Sequence, residues 1–162
     1  GEIESPEGRT VGLRRVAGLG RLTAFQELDD GRLIVSLTGV SRCTIVGEAA
    51  TDLPYRICRV SYDAFEADLE AGLGAEAVDR KALLEALKAF LDARNLKADW
   101  EAIERSPNEA LVNSLSMMSP YGPEEKQALL EAADLKTRAE VLVALAQMDL
   151  AGGAGGPGTV LQ

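Results

Sequence analysis

Apolar and polar residues alternate along the first third of the chain with the period of a β-strand. Two such runs, Leu19–Leu28 and Arg32–Thr38, flank the segment Asp29-Asp30-Gly31. An Asp-Gly pair between two apolar runs predicts a tight hairpin turn, because glycine adopts the positive φ that the turn requires. The second strand is predicted to have one mixed face and one wholly apolar face, formed by Leu33, Val35 and Leu37.

Two further strands are predicted before residue 66. A bend or bulge at Gly39 leads into Val40–Val46, and the last strand covers Tyr55–Tyr62. If these two strands form a hairpin, Cys43 lies almost opposite Cys58. We interpret the two cysteines as small buried thiols in a cytosolic sheet, and a redox-active pair is the alternative.

Beyond residue 78 the apolar residues recur with the 3.6-residue period of an α-helix. The first helix begins after Asp79 and ends near Asn95, and Asp99 caps a short second helix. The motif Ser106-Pro107-Asn108-Glu109 predicts a third helix with its serine as N-cap, and a fourth helix covers Pro123–Ala133.

The last helix is predicted to begin after Asp134, which caps it. Apolar stripes on the third and last helices are expected to face a common core. Their inward-facing residues are Leu111, Val112, Leu115, Met118, Leu135, Leu142, Leu145 and Met148.

These patterns predict an α+β protein with two lobes. Residues 1–66 form a β-lobe of antiparallel strands, and residues 67–78 form a joint rich in Ala, Gly and Glu. Residues 79–150 form a helical bundle, and residues 151–162 form a Gly-rich flexible tail. The first eight residues are polar and are expected to form a loop.

The formal net charge of −9 arises entirely after residue 60. Residues 1–60 hold eight basic and eight acidic side chains, whereas residues 61–162 hold nine basic and eighteen acidic ones. This acidity argues against nucleic acid as a partner, which requires a basic face. The longest apolar run, Val141–Ala146, is far shorter than a membrane span, and no secretory leader is recognisable. With only two cysteines, the chain is predicted to be cytoplasmic.

The chain contains no histidine. Its absence removes the usual imidazole base, the Ser-His-Asp and Cys-His systems and most zinc sites. A phosphate-binding Gly-Lys-Ser/Thr loop and an Asp-rich calcium loop are also lacking, so no cofactor and no metal are predicted. A Ser-Lys dyad of Ser114, Ser116 or Ser119 with Lys126 is formally available, but no spacing points the lysine into an apolar pocket. We therefore predict no catalytic residue.

Aromatic and methionine side chains lie near the break between the two lobes. Ligand sites favour inter-lobe clefts, and methionine adapts to varied apolar partners. We predict a peptide-binding site there, with core packing as the alternative for each residue. The candidate residues are Tyr62, Phe65, Met117, Met118 and Tyr121.

Several short motifs occur in a recognisable order. In the β-lobe, Leu19-Gly20-Arg21-Leu22 precedes Asp30-Gly31-Arg32 and then Leu37-Thr38-Gly39-Val40-Ser41-Arg42. In the helical part, Asn113–Met117 precedes Glu125–Glu131. Over roughly residues 9–150 this order resembles the N-terminal, substrate-binding domain of Lon proteases, and in particular short bacterial proteins that carry this domain alone.

The resemblance implies a partly open, PUA-like β-barrel followed by a helical bundle, and a role in recognising substrate proteins. It does not imply proteolysis, because the sequence has neither an ATPase module nor a Ser-Lys protease module. The family's first strands, expected before residue 9, are missing, and we interpret the chain as a domain whose front has been removed. The remaining sheet is expected to expose an unpaired edge and an apolar face, which favour strand addition or a homodimer.

The leading functional prediction is a non-catalytic module that binds unfolded or partly folded polypeptides. The alternative is an adaptor or assembly protein that binds one folded partner, such as a protease, and a hydrolase ranks third. Capture from cytosol separates the first two. A heterogeneous set of proteins favours the module, and one stoichiometric partner favours the adaptor.

Overall fold

The computed structural model describes residues 2–3 and 12–153. The chain divides into a β unit, which ends at Ala71, and a helical unit, which begins at Gly72. Strands precede helices along the chain, so the predicted α+β class is confirmed. Among the described strands the main sheet has three members and does not close into a barrel.

The described residues of the β unit form two antiparallel sheets. A two-stranded sheet pairs β1 with β2, and a three-stranded sheet has the order β3-β4-β5. The strands are β1 (Glu2–Ile3), β2 (Leu13–Arg14), β3 (Val16–Glu27), β4 (Leu33–Ala49) and β5 (Ile57–Ser61). The expectation that the first eight residues are all loop is therefore wrong for Glu2 and Ile3, whose backbone pairs with β2.

The predicted hairpin at Asp29-Asp30-Gly31 joins β3 to β4. Gly31 has φ of 81°, and its backbone N–H donates to the Leu28 carbonyl at 2.9 Å. The Leu28 N–H in turn donates to the Arg32 carbonyl at 2.8 Å, which closes a three-residue loop with a left-handed glycine. This turn sets the register in which Leu22 faces Leu37.

Strand β4 is longer than the sequence pattern predicts. It runs through Gly39 as one strand, and a register shift between Leu19 and Gly20 of β3 provides the predicted bulge. It also continues to Ala49, so β5 pairs further along it, and Cys58 faces Glu48. The prediction that Cys43 lies opposite Cys58 is therefore wrong, because the connecting turn was placed too early in the chain.

The described part of the helical unit, residues 72–153, contains five α-helices and a short 3-10 helix at Ala75–Ala77. A second 3-10 helix, Asp63–Leu69, belongs to the β unit. The α-helices are α1 (Arg80–Ala93), α2 (Trp100–Arg105), α3 (Asn108–Met118), α4 (Pro123–Glu131) and α5 (Leu135–Gly153). Thus α5 extends three residues into the stretch predicted as tail, and residues 154–162 lie outside the described residues.

Aspartate side chains begin three of these helices, as the sequence predicts. Asp79, Asp99 and Asp134 each accept a hydrogen bond from the backbone N–H three residues later, at 3.0, 3.0 and 2.7 Å. Each carboxylate satisfies a donor that the first turn of a helix leaves unpaired. It also places negative charge at the positive end of the helix dipole.

The predicted serine cap of α3 is wrong. The N-cap position is occupied by Pro107, and no side chain caps this helix. Instead the Ser106 hydroxyl donates to the Ala102 carbonyl at 2.8 Å, at the end of α2. The hydroxyl is therefore used to end one helix rather than to begin the next.

The core of the helical unit forms where α1, α3, α4 and α5 meet. Its buried members include Leu83, Leu111, Val112, Leu129, Leu135 and Leu142, and Leu115 and Leu145 pack partly buried against them. Two predicted core residues are wrong: Met118 is 80% exposed and Met148 is 70% exposed. Both lie near the ends of their helices, beyond the reach of this core.

We predict that Leu129→Ala lowers the free energy of unfolding of the helical unit by about 2–5 kcal/mol, because it leaves a cavity around a side chain that is 2% exposed. Chemical denaturation followed by circular dichroism measures the change. Met148→Ala is the control, and its effect is expected to stay within about 0.5 kcal/mol because that side chain is solvated. Equal losses in both variants contradict the assignment of the core.

Candidate functional site

Arg42 marks the point at which β4 passes from exposed to buried. The residue is only 7% exposed, and its guanidinium binds both carboxylate oxygens of Asp68 at 2.7 and 2.8 Å. The Arg42 backbone N–H donates to the same carboxylate at 2.9 Å. A buried charge must be paired and hydrogen-bonded, and this geometry provides both. The pair therefore attaches the Asp63–Leu69 helix to β4.

Two of the predicted site residues lie beside this ion pair. Phe65 is 8% exposed, and the Arg42 guanidinium carbon lies 4.5 Å from its ring centroid. Tyr62 precedes the same helix, accepts a hydrogen bond from the Phe65 N–H at 2.8 Å and is 40% exposed. Of the two, only Tyr62 offers an accessible side chain, whereas Phe65 is buried against the Arg42 guanidinium.

The other accessible candidates are two adjacent methionines at the end of α3. Met117 is 74% exposed and Met118 is 80% exposed. Lys126 of α4 donates from Nζ to the carbonyls of Ser116 and Met117, at 2.7 and 2.6 Å. The ammonium group satisfies carbonyl acceptors that the last turn of the helix leaves unpaired. Its positive charge also interacts favourably with the negative end of the helix dipole. Lys126 therefore fixes the backbone that carries both methionines.

The formally available Ser-Lys dyad has a different geometry from that of a nucleophile and its base. The Ser116 hydroxyl donates to the Val112 carbonyl at 2.8 Å within α3. The Lys126 ammonium contacts backbone carbonyls, as described above, rather than this hydroxyl. The lysine thus has a structural role that its spacing in the sequence did not reveal.

An apolar pocket lies in the helical unit beside the methionine pair. It is shallow, with an enclosed volume of about 20 Å³, which is enough for about one water molecule. Buried side chains of α1 and α5, such as Leu83 and Leu142, line it together with Leu115. Ser119 and Tyr121 also line it, and they come directly after the methionines in the chain. Met117 and Met118 do not line the pocket themselves; they lie in the chain between two lining residues, Leu115 and Ser119.

Tyr121 provides a polar group at this pocket. Its ring lies 6.3 Å from that of Phe90 in a tilted arrangement. Burial raises the pKa of the Tyr121 hydroxyl, nearby Asp149 raises it further, and Arg94 opposes both. The phenol is therefore neutral at physiological pH and can donate a hydrogen bond.

Arg94 and Asp149 hold the aromatic wall of the pocket in place. The Arg94 guanidinium carbon lies 4.6 Å from the Phe90 ring centroid, and its Nη2 binds Asp149 at 2.8 Å. The ion pair is partly solvated, so its main contribution is to orient the two partners rather than to stabilise the fold.

The five predicted site residues thus divide between the two units. Tyr62 and Phe65 lie in the β unit, and Met117, Met118 and Tyr121 lie together at the end of α3 and in the loop after it. The pocket was not predicted, because its lining comes from helices far apart in sequence. The methionine doublet next to the Ser-Pro-Tyr-Gly-Pro break was the available signal.

Cys43 and Cys58 are free thiols with different environments. Cys43 is 4% exposed and Cys58 is half-buried. Burial raises the pKa of the Cys43 thiol, and the charge of Cys58 raises it further. A neutral, buried thiol of this kind is a weak nucleophile.

In the described part of the chain, no group of three or more cysteine and acidic side chains is placed to hold a metal ion. Within residues 12–153, no helix has the length and apolar character needed to cross a bilayer.

Comparison with known proteins gives one family. The sequence model of the family described as the ATP-dependent protease La (LON) substrate-binding domain matches residues 4–147 of the 162. A search of curated proteins finds no match.

We predict that Arg42→Ala lowers the free energy of unfolding of the β unit by about 3–5 kcal/mol, because it removes the guanidinium that neutralises the largely buried Asp68 carboxylate. Thermal or chemical denaturation followed by Tyr fluorescence measures the change. Arg32→Ala is the control, since its ion pair with Asp30 is exposed and is worth at most about 1 kcal/mol. A loss below 1 kcal/mol in the Arg42 variant contradicts the role given to the pair.

We predict that iodoacetamide alkylates Cys58 well before Cys43 in the native protein, as read by peptide mass spectrometry. Because the native state favours the neutral Cys43 thiol, stability is expected to decline as the pH rises above the ordinary thiol pKa of 9.0. In the Cys58→Ser variant, Cys43 should be alkylated only after denaturant has unfolded the protein. Rapid labelling of Cys43 in that native variant contradicts its burial.

Proposed function

The chain belongs to the family of ATP-dependent protease La (Lon) substrate-binding domains, and we propose that it binds unfolded or partly folded polypeptides without catalysing a reaction. The observation that carries the proposal is the exposed methionine pair, Met117 and Met118, beside an apolar pocket. Substrate recognition is a property of the family. The site, the class of segment and the absence of catalysis are our proposals for this chain.

The methionine pair suits a surface that must accept many sequences. Methionine has three rotatable bonds and a polarizable sulfur, so it conforms to apolar partners of different shape. Two neighbouring methionines that are 74% and 80% exposed offer such contacts without prior unfolding of α3. Because Lys126 holds their backbone, only the side chains must order when a polypeptide binds. This limits the conformational entropy lost on binding.

The pocket gives the surface a shallow apolar contact. Its lining suits the edge of an aliphatic or aromatic side chain of a bound segment, and its size admits neither a whole side chain nor a folded element. The neutral hydroxyl of Tyr121 is available to donate to a backbone carbonyl of that segment. A native protein keeps most such side chains buried, so the pocket favours chains that expose them.

The β unit contributes a second contact in this proposal. Tyr62 is 40% exposed, and its carbonyl accepts a hydrogen bond from the Phe65 N–H at the start of the Asp63–Leu69 helix. A tyrosine offers a large, rigid contact at low entropic cost. We propose that Tyr62 binds apolar segments as a contact of the β unit by itself, independently of the residues of the helical unit.

The charge of the chain adds a preference among segments. Residues 61–162 hold nine basic and eighteen acidic side chains. An acidic surface attracts basic chains and repels acidic ones over distances near the Debye length. We therefore propose that preferred segments combine a large apolar residue with nearby lysine or arginine, and that binding weakens as salt is raised.

The other expectations for partners remain predictions. They are a cytoplasmic location, the absence of nucleic-acid partners and a homodimer through a β edge. The adaptor alternative also remains, and no structural observation favours it over polypeptide binding.

The test is binding of fluorescently labelled casein, an unfolded polypeptide, measured by anisotropy. We predict that Met117→Asp combined with Met118→Asp weakens binding about tenfold or more, because a carboxylate must then be desolvated against apolar side chains. Met148→Asp is the matched control, since it places the same charge at another exposed methionine and should change affinity less than twofold.

Two outcomes contradict the proposal. Equal affinity for the double variant and the wild type removes the methionine pair from the site. Failure of the wild-type chain to bind casein, together with stoichiometric capture of one folded protein from cytosol, favours the adaptor. Tyr62→Ala, which should weaken binding more modestly, tests the second contact separately.

A further inference from the structure

All three methionines of the chain are exposed to solvent. The exposed fractions of Met117, Met118 and Met148 are 74%, 80% and 70%. In most proteins methionine is among the residue types that are most often fully buried. Here the core of the helical unit is formed by leucine, valine and alanine side chains, and none of the three methionines belongs to it. A chemical change at a methionine therefore removes no contact from this core.

The backbone that carries Met117 and Met118 is held by bonds that do not involve their side chains. Lys126 donates from Nζ to two carbonyls in the last turn of α3, at 2.7 and 2.6 Å. The Ser119 N–H donates to the Leu115 carbonyl at 3.0 Å and ends the same helix. A change confined to the two thioethers leaves these bonds in place. Such a change alters the chemistry of the surface without unfolding α3.

The two cysteines are less accessible than the methionines. Cys43 is 4% exposed, and its buried thiol has a raised pKa, so little of the reactive thiolate is present. Cys58 is half-buried. An oxidant dissolved in water therefore meets the methionine sulfurs readily, and Cys58 is the thiol whose oxidation an experiment must separate from theirs.

We propose that Met117 and Met118 form a reversible oxidation site that switches polypeptide binding off. The oxidant is a hydroperoxide, of which hydrogen peroxide is the simplest. Its O–O bond breaks, and one oxygen atom is transferred to the thioether sulfur, which is oxidised by two electrons to a sulfoxide. The other oxygen is reduced and leaves as water with both protons of the peroxide. Methionine sulfoxide reductases return the sulfoxide to the thioether.

This inference rests on the proposed binding of polypeptides at the methionine pair. Oxidation converts a flexible apolar side chain into a polar one. An apolar segment that covers a sulfoxide must remove water from its oxygen without replacing the lost hydrogen bonds, which costs free energy. Because Met117 and Met118 are adjacent, oxidation places two such groups at one point of the surface. We therefore expect the affinity for casein to fall about fivefold or more.

The sulfoxide is uncharged, so the net charge of the chain stays at −9. The proposed preference for basic segments depends on that charge and not on the thioethers. Oxidation is therefore expected to lower the affinity for casein at every salt concentration without changing how steeply the affinity falls as salt is raised.

The test treats three proteins with hydrogen peroxide: the wild type, the variant that combines Met117→Leu with Met118→Leu, and Met148→Leu. Peptide mass spectrometry locates the added oxygen, circular dichroism measures helix content, and anisotropy measures the binding of labelled casein. The readout is the ratio of the dissociation constants after and before treatment within each protein, so differences in starting affinity do not enter. The ratio is expected to be about five or more in the wild type and in Met148→Leu, and about one in the double Met→Leu variant.

Reversal separates the methionines from Cys58. The two methionine sulfoxide reductases, one for each sulfoxide epimer, are expected to restore the affinity of the oxidised wild type in the presence of dithiothreitol. Dithiothreitol alone reduces a sulfenic acid or a disulfide at Cys58 but not a methionine sulfoxide. It is therefore expected to leave the affinity low.

Four results overturn the oxidation switch. They are unchanged affinity in a wild type whose Met117 and Met118 are oxidised, an equal loss of affinity in the double Met→Leu variant, recovery with dithiothreitol alone, and a loss of helix content in step with the loss of affinity. In each of these the untreated wild type still binds casein, so the proposed function stands. Failure of the untreated wild type to bind casein overturns the proposed function and the switch together.

Discussion

The β unit depends on how the buried guanidinium of Arg42 is satisfied. A charge removed from water is tolerated only with a full set of partners, and here Asp68 and the ring of Phe65 supply them. Both residues come from the short 3-10 helix that follows the sheet, so the helix must lie against β4. As a result Tyr62, at the start of that helix, is held in place with its ring partly in solvent.

In the helical unit, a second basic side chain, that of Lys126, fixes the backbone. Lys126 ends α3 by binding the carbonyls of Ser116 and Met117, and the chain then turns through Tyr121 toward α4. In both units a basic side chain fixes a backbone that carries exposed apolar groups. Rigid backbone with mobile side chains is a physical basis for binding many sequences at modest cost in entropy.

Most local contacts were predictable from the sequence, with the Ser106 cap as the exception, and long-range contacts were not. The turn at Gly31 and the cap at Asp134 depend on residues within three or four positions, so the pattern identifies them. The residue that faces Cys58 depends on where the seven-residue connection between β4 and β5 begins, and the sequence pattern placed that connection too early. The roles of Arg42 and Lys126 depend on contacts across 26 and about ten residues. The sequence therefore indicated exposed apolar residues of the site but not what holds them.

The length of the β3–β4 hairpin has a consequence for how the chain reaches its native state. Its strands are joined by only three residues, and hairpins of this kind form within about 1–10 µs. The core of the helical unit, by contrast, joins α1 to α5 across more than fifty residues of chain and must form later. During synthesis the hairpin therefore emerges and pairs while most of the chain is still missing. When ribosomes are crowded, the apolar strands of neighbouring nascent chains meet before those chains are complete. A higher rate of expression should therefore lower the yield of native protein.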